Sequence, residues 1–303
     1  MIIPTPLIPG DLIAIAASAR FVSKEEMLPA VQFLEQKGFR VLTSESLYNA
    51  HHQFAGTDHE RTTQLQQLID HPEVKAIWFA RGGYGSARIV DQIRWDGLKK
   101  HPKWLIGFSD LTVFHGHVLK HLNLCTVHAP MALQLDPKNA LHHPDDVELT
   151  LQILQAPEIT YPLPVHPLNR EGNTAGILTG GNLSVICSVL GSSSQPDFNH
   201  KILFLEDLDE YLYHIDRMML NLSRNGILSQ IKGLVVGGFT DMKDNAIPFG
   251  KEAEEIIAEH VSGYGYPVYF GFPAGHSVPN HPLLMGGHAG IENNILHLTA
   301  QNP

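Results

Sequence analysis

The segment with the clearest chemical potential is a serine placed where an apolar run meets a helical pattern. Trp104–Ile106 is apolar and is predicted to be a buried strand, Gly-Phe-Ser-Asp follows at 107–110, and a helical pattern begins at Leu111. A serine at such a turn holds its hydroxyl above the edge of the sheet, and the N–H of Asp110 faces the same space from a helix N-terminus. This is the first half of the G-x-S-x-G nucleophile elbow, although Leu111 stands where the second glycine would be. Ser109 is therefore either a nucleophile or a helix N-cap, which is the commoner role of serine at helix starts.

A serine nucleophile needs a general base, and the base needs a carboxylate to orient it. Glu206 and Asp207 directly follow an apolar run at 202–205, and His276 lies in a loop at 271–277 that is rich in glycine and proline. Catalytic groups are often carried by loops at strand ends. The alternatives are ordinary ones, because a carboxylate after a strand often caps the next helix and one loop histidine among 19 is unremarkable. The residue pattern alone does not choose between the two carboxylates.

A second glycine-rich turn, Arg-Gly-Gly-Tyr-Gly at 81–85, follows another predicted strand at 76–80. Glycine permits close backbone approach and unusual dihedral angles, so N–H groups of this turn could supply the second donor of an oxyanion hole. The alternative is a phosphate-binding turn, as in dinucleotide sites. However, neither the G-x-G-x-x-G spacing nor a Walker lysine is present.

The elements that carry these residues alternate between strands and helices. Strands are predicted at 12–17, 40–42, 76–80, 104–106 and 125–128, and two capping boxes, Ser23-x-x-Glu26 and Thr57-x-x-Glu60, open helices that run to about 37 and to Asp70. This alternation predicts a mostly parallel sheet with helices on both faces.

A proline-rich segment without periodicity at 157–173 is predicted to be a linker. After it, strands are predicted at 201–205, 233–238, 268–270 and 295–298, with helices at 209–222 and 251–261. The chain is thus expected to form one domain at 1–156 and a second at 174–303.

Composition excludes several function classes. The 21 basic and 31 acidic side chains give a net charge of −10, which argues against a nucleic-acid partner because such proteins need a basic face. The two cysteines form no paired motif, so a reduced, cytoplasmic compartment is expected. The apolar run at 12–19 lacks the preceding positive charge of a signal peptide, and no run approaches the ~20 residues of a membrane helix.

The abundant histidines raise the question of a metal site. No H-E-x-x-H motif occurs and no Cys/His spacing matches a zinc site, so no metal is predicted. The conspicuous pairs are expected to be ordinary core or surface histidines: His51 with His52, His115 with His117, and His142 with His143.

Taken together, these segments resemble the LD-carboxypeptidase family of serine peptidases, the muramoyltetrapeptide carboxypeptidases. The matching pieces run through nearly the whole chain in order: the turn at 81–85, Gly-Phe-Ser-Asp at 107–110, Gly-Gly-Asn-Leu at 180–183, Glu206, and Gly-Phe-Pro-Ala-Gly-His at 271–276. The resemblance implies an α/β fold with an N-terminal flavodoxin-like parallel-sheet domain and a smaller C-terminal α/β domain. The active site is expected between them.

The resemblance also implies roles for the candidate residues. Ser109 would be the nucleophile and His276 the general base. Glu206, and not its neighbour in sequence, would be the acid that orients the base. The backbone N–H groups of Gly83 and Asp110 would form the oxyanion hole.

The implied reaction is hydrolysis of the L–D bond that releases the terminal D-Ala from murein tetrapeptides in peptidoglycan recycling. It needs neither metal nor cofactor, and the family implies a cytoplasmic homodimer. Arg81, at a strand end that faces the site, is a candidate for binding the terminal carboxylate, although a structural arginine is an equal alternative. Tyr84 and Asn182 are further candidates for substrate contact.

Three alternatives stay open. Within the family, microcin C self-immunity peptidases use the same triad on a peptidyl-aminoacyl-adenylate analogue. They are expected to carry extra aromatic loop sequence, whereas the three tryptophans here, Trp78, Trp95 and Trp104, all lie in the N-terminal domain. The second alternative is a non-enzymatic, two-lobed ligand-binding protein. The third is a nucleotide-dependent oxidoreductase, against which the incomplete glycine motif argues.

Overall fold

Two β-sheets with helices packed on their faces make up the protein. The structure, a computed structural model, describes residues 1–300. Within this range the strands are β1 Leu12–Ala16, β2 Arg40–Leu42, β3 Val74–Phe79, β4 Trp104–Ile106, β5 Thr126–His128, β6 Glu158–Pro162, β7 Thr174–Asn182, β8 Ile202–Leu208, β9 Gly233–Thr240, β10 Val268–Tyr269, β11 Leu283–Met285, β12 His288–Glu292 and β13 Ile295–Thr299. The α-helices are α1 Lys24–Gln36, α2 Asp58–Asp70, α3 Ser86–Ile89, α4 Gly97–Lys100, α5 Thr112–Leu122, α6 Pro144–Gln155, α7 Leu183–Val189, α8 Leu212–Arg224, α9 Ile227–Gln230 and α10 Ala253–Val261.

The first sheet has the strand order β2-β1-β3-β4-β5-β11. Its first five strands are parallel and follow the 2-1-3-4-5 order of flavodoxin-like folds, in which ligands bind beyond the carboxyl ends of the strands. The strands next to the site are apolar throughout because helices cover both faces of the sheet. This arrangement confirms the predicted parallel α/β domain.

The second sheet has the order β10-β9-β8-β7-β12-β13-β6. Strands β7 to β10 are parallel, whereas β12, β13 and β6 pair in antiparallel fashion. A separate apolar cluster, which includes Leu203, Leu205, Leu234 and Ile256, fills the space between this sheet and its helices. The molecule therefore has the predicted two-domain α/β organisation.

The segment predicted to be an aperiodic linker, 157–173, contains strand β6. Ile159 and Tyr161 are buried and their neighbours are exposed, which is the alternation of an edge strand. Pro162 ends the strand at the outer edge of the sheet, where no ladder hydrogen bond is lost. The prolines that indicated a linker thus flank and end an edge strand.

A strand from the C-terminal part of the chain also belongs to the first sheet, because β11 pairs in antiparallel fashion with β5.

Most other predicted elements have the expected type. Both capping boxes are present, at Ser23 and at Thr57, and open α1 and α2. Helix α8 begins at Leu212 and not at 209, because Asp209 has a positive φ of 60° and Tyr211 is the N-cap. None of the helices within residues 1–300 is both long and apolar enough to cross a lipid bilayer.

Candidate active site

Ser109 lies in a single 3₁₀ turn, Ser109–Leu111, between β4 and α5. Its φ is +61°, a left-handed conformation that costs a non-glycine residue about 1–2 kcal/mol. No side-chain capping bond is made at the start of this turn or of α5, so Ser109 is not the N-cap that its sequence position allowed. Gly82 packs against it: a Cβ atom at position 82 would lie 3.2 Å from the Ser109 Oγ. The position of the serine hydroxyl is therefore set by the backbone conformation at Ser109 and by the close packing of Gly82.

The glycine-rich turn is fixed beside Ser109 by buried polar groups. One carboxylate oxygen of Asp110 accepts the backbone N–H of Ser86 at 2.7 Å, and the buried Arg61 donates to the carbonyl of Gly85 at 3.0 Å. Burial raises the pKa of Asp110, and the hydrogen bonds from Ser86 act in the opposite direction. Between residues 1 and 300, the N–H groups of Gly83 and Asp110 have no protein acceptor.

The buried His115 contacts the backbone just before the serine turn. Its Nε2 lies 2.8 Å from the carbonyl oxygen of Gly107, and its Nδ1 lies 2.8 Å from the Thr126 hydroxyl. Burial lowers the pKa of this histidine to about 4, so it is neutral at physiological pH. The histidine that the sequence left without a role is thus a structural core residue.

His276 joins the two domains at the site. Its Nε2 lies 3.1 Å from the Ser109 Oγ, and its Nδ1 lies 2.7 Å from Oε2 of Glu206. Glu206 is fully buried, which leaves its carboxylate little freedom to turn away. Assigned from this network, the imidazole donates Nδ1–H to Glu206 and points the Nε2 lone pair at the serine hydroxyl. In chemical terms, the arrangement can remove a proton from Ser109 and stabilise the resulting imidazolium.

Glu206 and Asp207 have separate surroundings, although they are adjacent in sequence. The Asp207 carboxylate accepts the Asn182 side-chain amide and the backbone N–H of Ser184, each at 2.9 Å. Burial and, to a lesser extent, the neighbouring Glu206 charge together raise the pKa of Asp207 to about 7. Of the two carboxylates, Glu206 is the one that hydrogen-bonds to His276.

The loop that carries His276 is held in two ways. Gly275 has a φ of +108°, and a Cβ there would lie 2.7 Å from Oε2 of Glu206, so only glycine fits. Its N–H donates to the Asn280 side chain at 2.8 Å. The buried Asp146 of α6 in turn accepts the backbone N–H of Asn280 at 2.6 Å and the Nδ1–H of His281 at 2.7 Å. A carboxylate of the first domain therefore braces the loop of the second.

A cavity of about 330 Å³ opens above Ser109, between the two domains. Phe108 and Met131 form part of its apolar wall, and Arg20 and Arg81 are its charged residues. Among the residues that the structure describes, no Asp or Glu lines this cavity. Arg20 was not among the residues predicted to line the site, although its place just beyond the carboxyl end of β1 was a usable signal.

The three residues predicted to contact substrate have different positions. Arg81 lines the cavity, with its Nη1 3.9 Å from Oε1 of Glu26. Tyr84 lies outside the cavity lining and is 51% exposed. Asn182 is buried as the N-cap of α7 and bonded to Asp207, so its side chain is not available to a substrate in this structure.

The described chain offers no evident place for a metal ion. Within residues 1–300, no group of three or more His, Cys, Asp or Glu side chains is arranged to bind one.

Comparisons with known proteins match both domains. The family profile of the LD-carboxypeptidase N-terminal domain matches residues 12–129, and that of the C-terminal domain matches residues 175–291. The chain is 34% identical to a Bacillus subtilis protein named a probable murein peptide carboxypeptidase, over 95% of this chain and 91% of that protein. It is 28% identical to the murein tetrapeptide carboxypeptidase of Pseudomonas aeruginosa, over 94% of each. It is 25% identical to the Escherichia coli microcin C7 self-immunity protein, over 99% of this chain and 96% of that one, in an alignment of 337 positions.

Solved structures show the same architecture. The muramoyltetrapeptide carboxypeptidase of Oxalobacter formigenes superposes with a TM-score of 0.85 at 29% identity, covering 96% of this chain and 99% of that one. A microcin C7 self-immunity protein superposes with a TM-score of 0.87 at 23% identity, covering 98% of each chain, which shows the shared fold alone.

Proposed function

The chain belongs to the LD-carboxypeptidase family, and we propose that within it this protein is a serine peptidase that releases the terminal D-Ala from murein tetrapeptides in peptidoglycan recycling. The observation that carries the proposal is the pair of hydrogen bonds that links Glu206 through His276 to Ser109. The relatives named as murein peptide and murein tetrapeptide carboxypeptidases support the substrate class.

The proposed mechanism rests on the hydrogen bonds among Glu206, His276 and Ser109. His276 Nε2 takes the proton from the Ser109 hydroxyl as its oxygen attacks the scissile carbonyl carbon, and Glu206 stabilises the imidazolium that forms. The carbonyl oxygen becomes negatively charged and accepts the free N–H groups of Gly83 and Asp110. His276 then gives its proton to the leaving amine, and the D-amino acid departs.

The acyl group left on Ser109 is then hydrolysed by water, with the same residues acting in the second half of the reaction. His276 removes a proton from a water molecule, which attacks the acyl carbon and forms a second oxyanion in the same hole. Collapse of this intermediate returns the proton to the Ser109 oxygen and releases the shortened peptide.

A nucleotide-linked substrate is the second candidate, because the chain also resembles the microcin C7 self-immunity protein. That alignment has 337 positions and is longer than this 303-residue chain, so the relative contains segments that this chain lacks. Trp78, Trp95 and Trp104 are at most 6% exposed, so none of them offers a free ring for stacking on a base. These observations favour the murein peptide.

One experiment separates the substrates. The protein is incubated with disaccharide-tetrapeptide ending in D-Ala, with the same peptide ending in L-Ala, and with an aminoacyl sulfamoyl adenosine, and the products are identified by mass spectrometry. We expect release of D-Ala from the first substrate only. Cleavage of the adenosine compound alone would reassign the protein to the second candidate, and equal rates on D-Ala and L-Ala peptides would contradict LD specificity.

The homodimer and the cytoplasmic location that the family implies stay predictions. Size-exclusion chromatography with light scattering measures the first, and cell fractionation measures the second.

A further inference from the structure

Arg20 occupies a position beside the proposed oxyanion hole that neither the sequence pattern nor the family match identified. It lies in the loop between β1 and α1 and lines the cavity above Ser109. Gly83 has a φ of +109°, and a Cβ at that position would lie 2.4 Å from Cδ and 2.5 Å from Cγ of Arg20. The aliphatic stem of Arg20 therefore rests on Gly83. Its guanidinium group is attached to this Cδ atom, which packs against the residue whose N–H would hold the oxyanion.

The charge of Arg20 is not matched by any protein group. Its side chain has no hydrogen-bond or ion-pair partner in the part of the chain that the structure describes, 1–300, and the cavity it lines contains no carboxylate side chain. The protein as a whole has a net charge of −10, which disfavours the approach of an anion at long range. The cavity is thus a local site of positive charge beside the nucleophile.

Arg81, the other arginine of the cavity, has a different environment. Its Nη1 lies 3.9 Å from Oε1 of Glu26, the residue whose Oε2 accepts the N–H of Ser23 in the capping box of α1. A carboxylate already lies near Arg81, so the net charge that it offers a second carboxylate is reduced. Both arginines thus line the same cavity, but within residues 1–300 only Arg81 has a carboxylate close to it, so each serves as a comparison for the other.

We propose that the Arg20 guanidinium binds the free α-carboxylate of the departing C-terminal residue, an inference that rests on the proposed function and specifies how its substrate is recognised. In a peptide, that carboxylate carbon is three bonds from the scissile carbonyl carbon, or roughly one residue spacing of ~4 Å. A cation that binds it must therefore lie close to the oxyanion hole, and the Cδ atom that carries the Arg20 guanidinium packs against Gly83.

The chemistry of the two groups agrees with this assignment. A guanidinium presents two parallel N–H donors to a planar carboxylate, and such charge-assisted pairs are stronger than neutral hydrogen bonds. An internal peptide bond would place a neutral amide at the same point. Arg20 therefore makes the enzyme act on the chain end.

The test uses two versions of one tetrapeptide, with D-Ala ending in a free carboxylate or in a carboxamide. kcat/KM for both is measured in the wild type and in the variants Arg20→Met, Arg20→Lys and Arg81→Met. Met replaces the stem of Arg20 without its charge, so packing on Gly83 is kept, and thermal denaturation checks the fold. We expect the wild type to prefer the acid.

Arg20→Met should lower kcat/KM for the acid by about 10- to 100-fold, the effect of one charged hydrogen-bonding group, and leave the amide rate unchanged. Arg20→Lys should recover part of the preference for the acid over the amide, because it restores the positive charge but not the two parallel N–H donors. Arg81→Met should keep most of the acid-over-amide preference.

Each other outcome overturns a stated part of the account. If Arg20→Met keeps the wild-type ratio of acid to amide rates, or loses both rates equally, Arg20 does not bind the carboxylate. If Arg81→Met alone removes the preference, Arg81 has the role instead. If the wild type releases no D-Ala from the acid, the proposed function itself fails, and the role of Arg20 fails with it.

Discussion

The two domains contribute to the site in different ways. The N-terminal side is made of backbone: Ser109 in a left-handed conformation, the closely packed Gly82, and two N–H groups without protein acceptors. The C-terminal side is made of side chains, with the buried Glu206 hydrogen-bonded to His276. The first side should therefore depend on shape and the second on charge, and the hydrogen bond that the Ser109 hydroxyl donates to His276 links them at the nucleophile.

The largest expected loss of activity comes from removing the hydrogen bond between Ser109 and His276. Ser109→Ala should lower kcat on the order of 10⁵- to 10⁶-fold, as removal of a triad serine does elsewhere. Ser109→Ala combined with His276→Ala should be scarcely worse, because a base without its nucleophile does nothing. Steady-state rates with the tetrapeptide measure both variants. Penalties that multiply would show that the two sides act independently.

The next effect tests the dependence on charge. Glu206→Gln keeps the shape of the side chain but no longer stabilises imidazolium or the required tautomer, so kcat should fall on the order of 10³- to 10⁴-fold. Asp207→Asn is the matched control, since Asp207 contacts Asn182 and not His276, and its kcat should fall by less than ~10-fold. Equal losses in the two variants would contradict the assignment of Glu206.

Substitutions in the loop that carries His276 should have an intermediate effect on kcat. Asn280→Ala removes the acceptor for the Gly275 N–H, so His276 is less firmly placed, and kcat should fall by about 10-fold with little change in KM. His281→Gln is the control, because His281 contacts Asp146 but not Gly275. A loss of thermal stability without a change in kcat would show that the loop contact is structural only.

The Asp207 carboxylate also makes a prediction about pH and stability. Its pKa is raised from the ordinary aspartate value of 3.8 to about 7 in the folded protein, so the folded state disfavours the ionised form. The free energy of unfolding should therefore decrease as the pH rises from about 4 to 7, by on the order of 1 kcal/mol per pH unit from this group. Urea denaturation at a series of pH values should show this slope in the wild type and less of it in Asp207→Asn. A stability that rises over this range relative to the variant would contradict the assigned surroundings.

The smallest expected effect is that of chelation, which should leave turnover unchanged because the proposed mechanism uses side chains and backbone N–H groups only. Prolonged dialysis against a chelator, followed by a rate measurement, is the test. A loss of activity that zinc restores would contradict the serine mechanism.

Local patterns predicted the parts of this molecule that depend on neighbours in sequence. The strand-to-helix turn at Ser109 and the capping boxes at Ser23 and Thr57 are such features. Strand β6 was missed because its prolines indicate a linker unless the edge of a sheet is known to lie there. The proposed catalytic roles of the site residues stay predictions.

Features that depend on distant contacts could not be read from single segments. Whether Glu206 or Asp207 meets His276 depends on which side of β8 each faces. The hydrogen bond that the Asn280 backbone N–H donates to Asp146 joins residues 134 positions apart and follows no local pattern. The end of β1 indicates that Arg20 lies near the edge of the sheet, but its contact with Gly83 depends on a distant part of the chain.

Ser109 is proposed to be a nucleophile that Glu206 activates through His276. A fluorophosphonate probe tests it most directly, because the probe reacts covalently with activated serines, and intact-protein mass spectrometry with peptide mapping locates the adduct. We predict a single adduct on Ser109 in the wild type, almost none in His276→Ala, and strongly slowed labelling in Glu206→Gln. An unlabelled wild type, labelling at another serine, or labelling of Ser109 at the same rate in all three proteins would contradict the account.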